Sequence, residues 1–205
     1  MVRQEKISAQ GQALTLFIVG ISIIAYCFPR FSDLLVYDRQ AILSGELWRL
    51  LTAPLVHFSA SHIFWDIVVF GVAGLAINAA GFRCFWLVCS FAAVIPSLLF
   101  LLTFPELERY GGLSGLATGA AAYFCLCSAH KSRKNRIIWL GILALMGTKI
   151  FVEATMGAPI FVQAESIPFR VLPSVHILGY LGALATIMWT WPNITLSRTP
   201  NSGRL

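Results

Sequence analysis

Apolar runs of about twenty residues, separated by short polar connections, constrain this chain more than any other feature. A run of that length crosses a ~30 Å hydrocarbon core as a helix. Within lipid, only helices and closed barrels satisfy their own backbone hydrogen bonds. Six runs occur, at about Ala13–Phe28, Val56–Ala79, Phe82–Phe104, Leu113–Ala129, Ile137–Glu153 and Ser174–Trp191. Only 12% of the residues are charged, against about 25% in a soluble domain. The expected fold is all-α: a polytopic bundle of six transmembrane helices over residues 13–191. A cytoplasmic N-terminal segment, 1–12, and a cytoplasmic tail, 192–205, flank it. The first run is read as an uncleaved helix, because Pro29-Arg30-Phe31 follows it rather than a small-residue cleavage site. Pro29–Pro54 is too apolar for a linker and too interrupted to span. It is expected to lie as a partly helical loop in the headgroup region.

The formal charge of +6 does not point to nucleic acid, because the basic residues sit in the connections between apolar runs. There they orient a membrane protein. With the N-terminus in the cytoplasm, the cytoplasmic segments hold nine basic residues, among them Arg83, Lys131, Arg133, Lys134 and Arg136, against Glu5 alone. The exterior segments hold Arg30, Arg39, Arg49, Arg109 and Arg170 against seven acids. Lipids and transmembrane proteins are the expected partners. The five cysteines lie within or beside apolar runs in no zinc-binding spacing, and read as packing residues.

One stretch carries chemistry. In Tyr110-Gly111-Gly112-Leu113-Ser114-Gly115, a serine between glycines opens the fourth run. Glycines permit close approach of backbone and substrate, and a helix start aims N–H groups at developing negative charge. The same pattern also arises where transmembrane helices pack closely. From Ser114 to Ala129 is 16 residues, about 24 Å of helix at ~1.5 Å per residue. A helix that reaches the cytoplasmic face thus leaves Ser114 below the exterior surface. A loop at that depth must line water or be buried in protein.

His176, in the first turn of the sixth run, lies at matching depth as a candidate base for Ser114. Gly115 and Gly119 on one helix, and Gly179, Gly182 and Ala183 on the other, would let the two approach. His62 and Asp66, four apart on the second run, share a helical face in the same exterior half, and His57 precedes them. In one reading His62 and Asp66 join the Ser114 amide as an oxyanion hole. In another, His57, His62, Asp66 and His176 bind a metal. That reading leaves Gly112-Leu113-Ser114-Gly115 unexplained, so no metal or other cofactor is expected. Lys149 and Glu153, also four apart, read as an ion pair that neutralises itself in lipid.

Glu46-Leu47-Trp48-Arg49, His57-Phe58-Ser59-Ala60-Ser61-His62-Ile63-Phe64-Trp65-Asp66, Gly112-Leu113-Ser114-Gly115 and His176-Ile177-Leu178-Gly179 resemble, in order, the motifs of rhomboid intramembrane serine proteases. The resemblance implies a six-helix rhomboid-like bundle with a water-filled cavity open to the exterior. It implies Ser114 as nucleophile, His176 as general base, and His62, Asp66 and the Ser114 amide as oxyanion hole. His57, Gly112 and Gly115 would support the site, and Trp48-Arg49 would anchor the first loop. Tyr110 and Lys149-x-x-x-Glu153 look most like rhombosortases, bacterial inner-membrane members that act on proteins with C-terminal glycine-rich sorting tails. The family pattern has Asn where this chain has Asp66. An ionised carboxylate would repel an oxyanion, so Asp66 is expected to be protonated or turned away. The second small residue after His176 also departs from the pattern, being Gly182 rather than Ala183. The alternative is a non-catalytic relative that binds transmembrane helices: Asp66 speaks for it, and intact Ser114 and His176 speak against it.

Overall fold

The computed structural model describes residues 2–157 and 172–195, with side chains for 11–157 and 172–190. The loop with Glu165 and Arg170 lies outside the described residues, as do the side chains of the first ten residues and most of the tail 192–205. The elements run α1 (Val2–Cys27), α2 (Pro29–Leu35), β1 (Tyr37–Asp38), α3 (Arg39–Leu43), α4 (Arg49–Thr52), a 3-10 turn (Ala53–Leu55), α5 (Ala60–Ala79), α6 (Phe85–Thr103), β2 (Arg109–Tyr110), α7 (Ser114–Lys131), α8 (Arg136–Met156) and α9 (Pro173–Thr195). Each of the six apolar runs falls on one long helix. By length and composition α5, α6 and α8 can cross a membrane, and Gly11–Cys27 of α1 is a shorter apolar stretch. The chain is a multi-pass membrane protein.

Helix α7 is less apolar, being built from Gly, Ala, Ser, Thr and Cys. Its position explains this. It packs against α5, α6, α8 and α9, so neighbouring helices cover it on most sides. Small residues set the spacing. A Cβ on Gly179 would fall on the Gly115 carbonyl, and one on Gly119 would come to 3.0 Å of the Gly179 carbonyl. A Cβ on Gly115 would strike Val175. These pairings make α7 and α9 parallel, with the first turn of one beside the first turn of the other. Gly182 has a different role from the one the sequence suggested: its nearest outside neighbour is Phe91 of α6.

Three boundaries differ from the apolar runs for local reasons. Helix α5 starts at Ala60, not Val56, because Ser59 is extended and its Oγ caps the His62 N–H at 3.2 Å. Helix α6 starts at Phe85 after Gly81 and Cys84 turn the chain with positive φ. In α1 the polar residues from Val2 onward continue the helix of the first apolar run. At the end where α5 gives way to α6, Lys131 Nζ donates to the Ala80 carbonyl at 3.3 Å and Tyr123 Oη to that of Arg83.

The connection after α1 is partly helical, as expected, and is tied down by buried polar contacts. Arg49, 7% exposed, donates from Nη1 to the carbonyls of Asp33 (2.7 Å) and Val36 (2.9 Å), and pairs with Glu46. Trp48 Nε1 donates to Leu34 O and Thr52 Oγ1 to Leu35 O. Sequence periodicity gave no sign of the two-residue ladder between β1 and β2, where Tyr37 opposes Tyr110. With Phe100 and Ile42 the two tyrosines form a small core of their own.

Gly179→Ala is expected to cost about 1–3 kcal/mol, the usual range for overpacking, read as a lower melting temperature in detergent micelles. Gly141→Ala, whose Cβ would meet nothing within 4 Å, is the control and should change stability by less than about 1 kcal/mol.

Candidate active site

The loop before α7 is held from three sides. Tyr110 pairs with β1. Gly111 sits on the Ala53 and Val56 carbonyls, where a Cβ would approach to 3.3 and 2.8 Å. Gly112 has φ +135, and a Cβ there would lie 2.7 Å from Cε1 and 2.9 Å from Nε2 of His62. That position requires glycine both for its backbone and for the imidazole packed on it. Leu113, fully buried, then begins the helix.

A helix start leaves its first N–H groups without intrahelical partners. Leu113 N–H lies 3.2 Å from His57 Nε2. Among the described residues, the amides of Ser114, Gly115 and Leu116 have no backbone partner outside the helix. Ser114 itself is half-buried.

On α5, Asp66 Oδ2 lies 3.1 Å from Nε2 of both His57 and His62. The two rings meet edge to face with centroids 5.0 Å apart. An imidazole nitrogen has one in-plane hydrogen-bonding position, so His57 Nε2 serves either Leu113 N–H or Asp66 Oδ2. Asp66 is thus turned toward two imidazoles, which compensate a carboxyl group in a setting that gives it little water. The three donor atoms lie within 4.8 Å of one another, close enough to share a divalent ion with a coordination position left over. His176 is not part of that group. Tyr110 lies close by, and burial, with Asp66 adding to it, pushes its phenol above the ordinary value.

His176, buried in the first turn of α9, lies between α7 and α8. Its Nδ1 faces Thr118 Oγ1 at 3.0 Å, and its Nε2 faces Glu153 Oε2 at 4.0 Å. Thr118 is one turn beyond Ser114 on the same face of α7. Among the described residues no hydrogen bond joins Ser114 to His176: the Thr118 hydroxyl holds the nitrogen nearest α7. His62 and Asp66 are within electrostatic reach of the imidazole, as are Lys149 and Glu153. The structure therefore brings His57, His62, Asp66 and Gly112 together, and puts His176 against Thr118, one turn after Ser114 on α7. Two polar neighbours of His176 went unassigned in the sequence. Thr118 could have been found by its four-residue spacing from Ser114. Glu153 was visible only as half of an ion pair with Lys149.

Gly112→Ala is expected to displace the His62 ring and strain the turn, at about 1–3 kcal/mol. The His62 ring resonances in a spectrum of the labelled protein should shift with it, and unchanged resonances would contradict the contact.

Ser114, at the start of α7, and His176, in the first turn of the parallel α9, both lie within the stretch that the sequence comparison matches. The Rhomboid domain family model matches residues 44–193, from the first loop through α9. No curated protein matches the chain. The match spans most of the chain, and the protein belongs to the rhomboid family.

Proposed function

We propose that this protein is an intramembrane serine endopeptidase of the rhomboid type. The observation that carries the reading is the glycine contact of α7 with α9, which sets His176 against the face of α7 that bears Ser114. In the reaction, His176 takes the Ser114 hydroxyl proton as Oγ attacks a peptide carbonyl. The negative charge that develops on the carbonyl oxygen is met by the Ser114 N–H and by His62. His176 then gives its proton to the leaving amine, and water releases the acyl group by the reverse sequence. Asp66 orients His62 through its Oδ2 contact, and His57 Nε2 accepts the Leu113 N–H and steadies the turn.

The substrate is a membrane-anchored protein whose helix unwinds near its exterior end, because an intact helix hides its carbonyls. With Tyr110 and the Lys149–Glu153 pair, we assign the chain to the rhombosortase type, acting on C-terminal glycine-rich sorting tails. The basic residues of the α5–α6 and α7–α8 turns support an orientation with those turns, and both termini, on the cytoplasmic side of a bacterial inner membrane. All six long helices cross it. The contact of His176 with Thr118 rather than Ser114 favours a second reading, a non-catalytic member that binds transmembrane helices.

An active-site fluorophosphonate should label the wild type but neither Ser114→Ala nor His176→Ala. Equal labelling of wild type and Ser114→Ala would overturn the nucleophile. In membrane proteomes, Ser114→Ala should leave C-terminal anchors attached that the wild type removes. A partner that co-purifies uncut with both would establish the non-catalytic reading.

A further inference from the structure

Glu153 is 2% exposed although it lies on a helix of transmembrane character, while its partner Lys149 keeps 32% of its side chain exposed. Their ion pair is 2.9 Å long. A lysine reaches outward from such a pair along its long stem. The carboxylate instead points into the bundle, where Oε2 also faces His176 Nε2 at 4.0 Å. The other ring nitrogen faces a hydroxyl of α7. The imidazole thus lies between an anion from α8 and the serine-bearing face of α7.

We propose that Glu153 is a positioning residue for His176: its carboxylate, held by Lys149, keeps the ring proton on Nε2 and presents the Nδ1 lone pair to the face of α7 that carries Ser114 and Thr118. The inference rests on the peptidase reading above. An anion beside Nε2 favours the Nε2–H tautomer, because the alternative would put a lone pair against negative charge. Thr118 Oγ–H donates to Nδ1 at rest. In the reaction Nδ1 gives up the Thr118 hydroxyl, the ring rotates toward Ser114 with Nε2 kept on the Glu153 side, and Nδ1 takes the Oγ proton. Oγ forms its bond to the substrate carbonyl carbon, whose π pair moves to oxygen. The imidazolium then carries two protons, with Nε2–H drawn in toward Glu153 from its resting distance. Contacts of this kind are often long before substrate binds. Collapse of the intermediate breaks the C–N bond, and the nitrogen leaves with the Nδ1 proton. Glu153 neither gains nor loses a proton, and Lys149 keeps its charge matched in a setting of low dielectric. The charged and titratable groups around the ring are Glu153 and Lys149 from α8 and, within electrostatic reach, His62 and Asp66 from α5.

The test follows fluorophosphonate labelling of the purified full chain in micelles, resolved into a maximal rate and a half-saturating probe concentration. Glu153→Gln is expected to lower the maximal rate about 10- to 100-fold, with the half-saturating concentration changed less than about twofold. Glu153→Asp, which keeps the carboxylate, should recover most of that rate. The double variant Lys149→Gln/Glu153→Gln separates this role from charge balance. It leaves no unpaired charge, so a purely structural pair predicts wild-type labelling, whereas a positioning carboxylate predicts a rate as low as that of Glu153→Gln. Should Glu153→Gln fail to fold, the double variant carries the same comparison. Wild-type rates in Glu153→Gln or in the double variant, with Ser114→Ala unlabelled, would overturn the inference and leave the peptidase standing. Equal labelling of Ser114→Ala would instead overturn the peptidase reading itself.

Discussion

The contact between the backbones of α7 and α9 governs the rest of this structure. Gly115, Gly119 and Gly179 let the two helices meet at a distance that a single methyl group would prevent. In lipid there is little hydrophobic drive between helices, so association depends on such close van der Waals packing. Because the contact lies at the first turns of both helices, it brings together the two places where N–H groups and ionisable side chains are available. Moved one turn along, the same contact would join two featureless stretches.

The second constraint is the cost of polar groups away from water. Among the described residues, the buried carboxylates and His176 meet this cost through partners. Asp66 faces two imidazoles, Glu153 faces Lys149 and His176, and the His176 ring has Thr118 on one side and Glu153 on the other. Arg49, buried at the start of α4, uses the Asp33 and Val36 carbonyls at the end of α2. The candidate site and the stability of the bundle share these contacts, because ionisable groups away from water must be kept compensated.

The long helices were legible because the solvent makes them so. A ~30 Å apolar layer demands runs of about twenty residues, and the six apolar runs coincide with six helices. Helix starts were less legible. Ser59 as a cap, and the positive φ of Gly81 and Cys84, act over one or two residues and do not alter hydropathy. The β1–β2 ladder had no sequence signal, since two residues cannot establish a period. Gly112 and Gly115 were visible as glycines beside a serine. That one supports the His62 ring while the other admits Val175 depends on contacts between distant segments.

The sequence alone determined that this chain enters a membrane as helices, and it singled out Ser114, His176, His62 and Asp66 as candidates for chemistry, because hydropathy and residue type are local properties. It also placed Ser114 and His176 at similar depth, since depth follows from counting residues along a helix. Tertiary structure decided which atoms face each other. It turned Asp66 onto two histidines, gave the Nδ1 of His176 to Thr118 and brought Glu153 behind the ring. Those outcomes depend on helix rotation and on the approach of backbones far apart in the chain, and no period or composition records either.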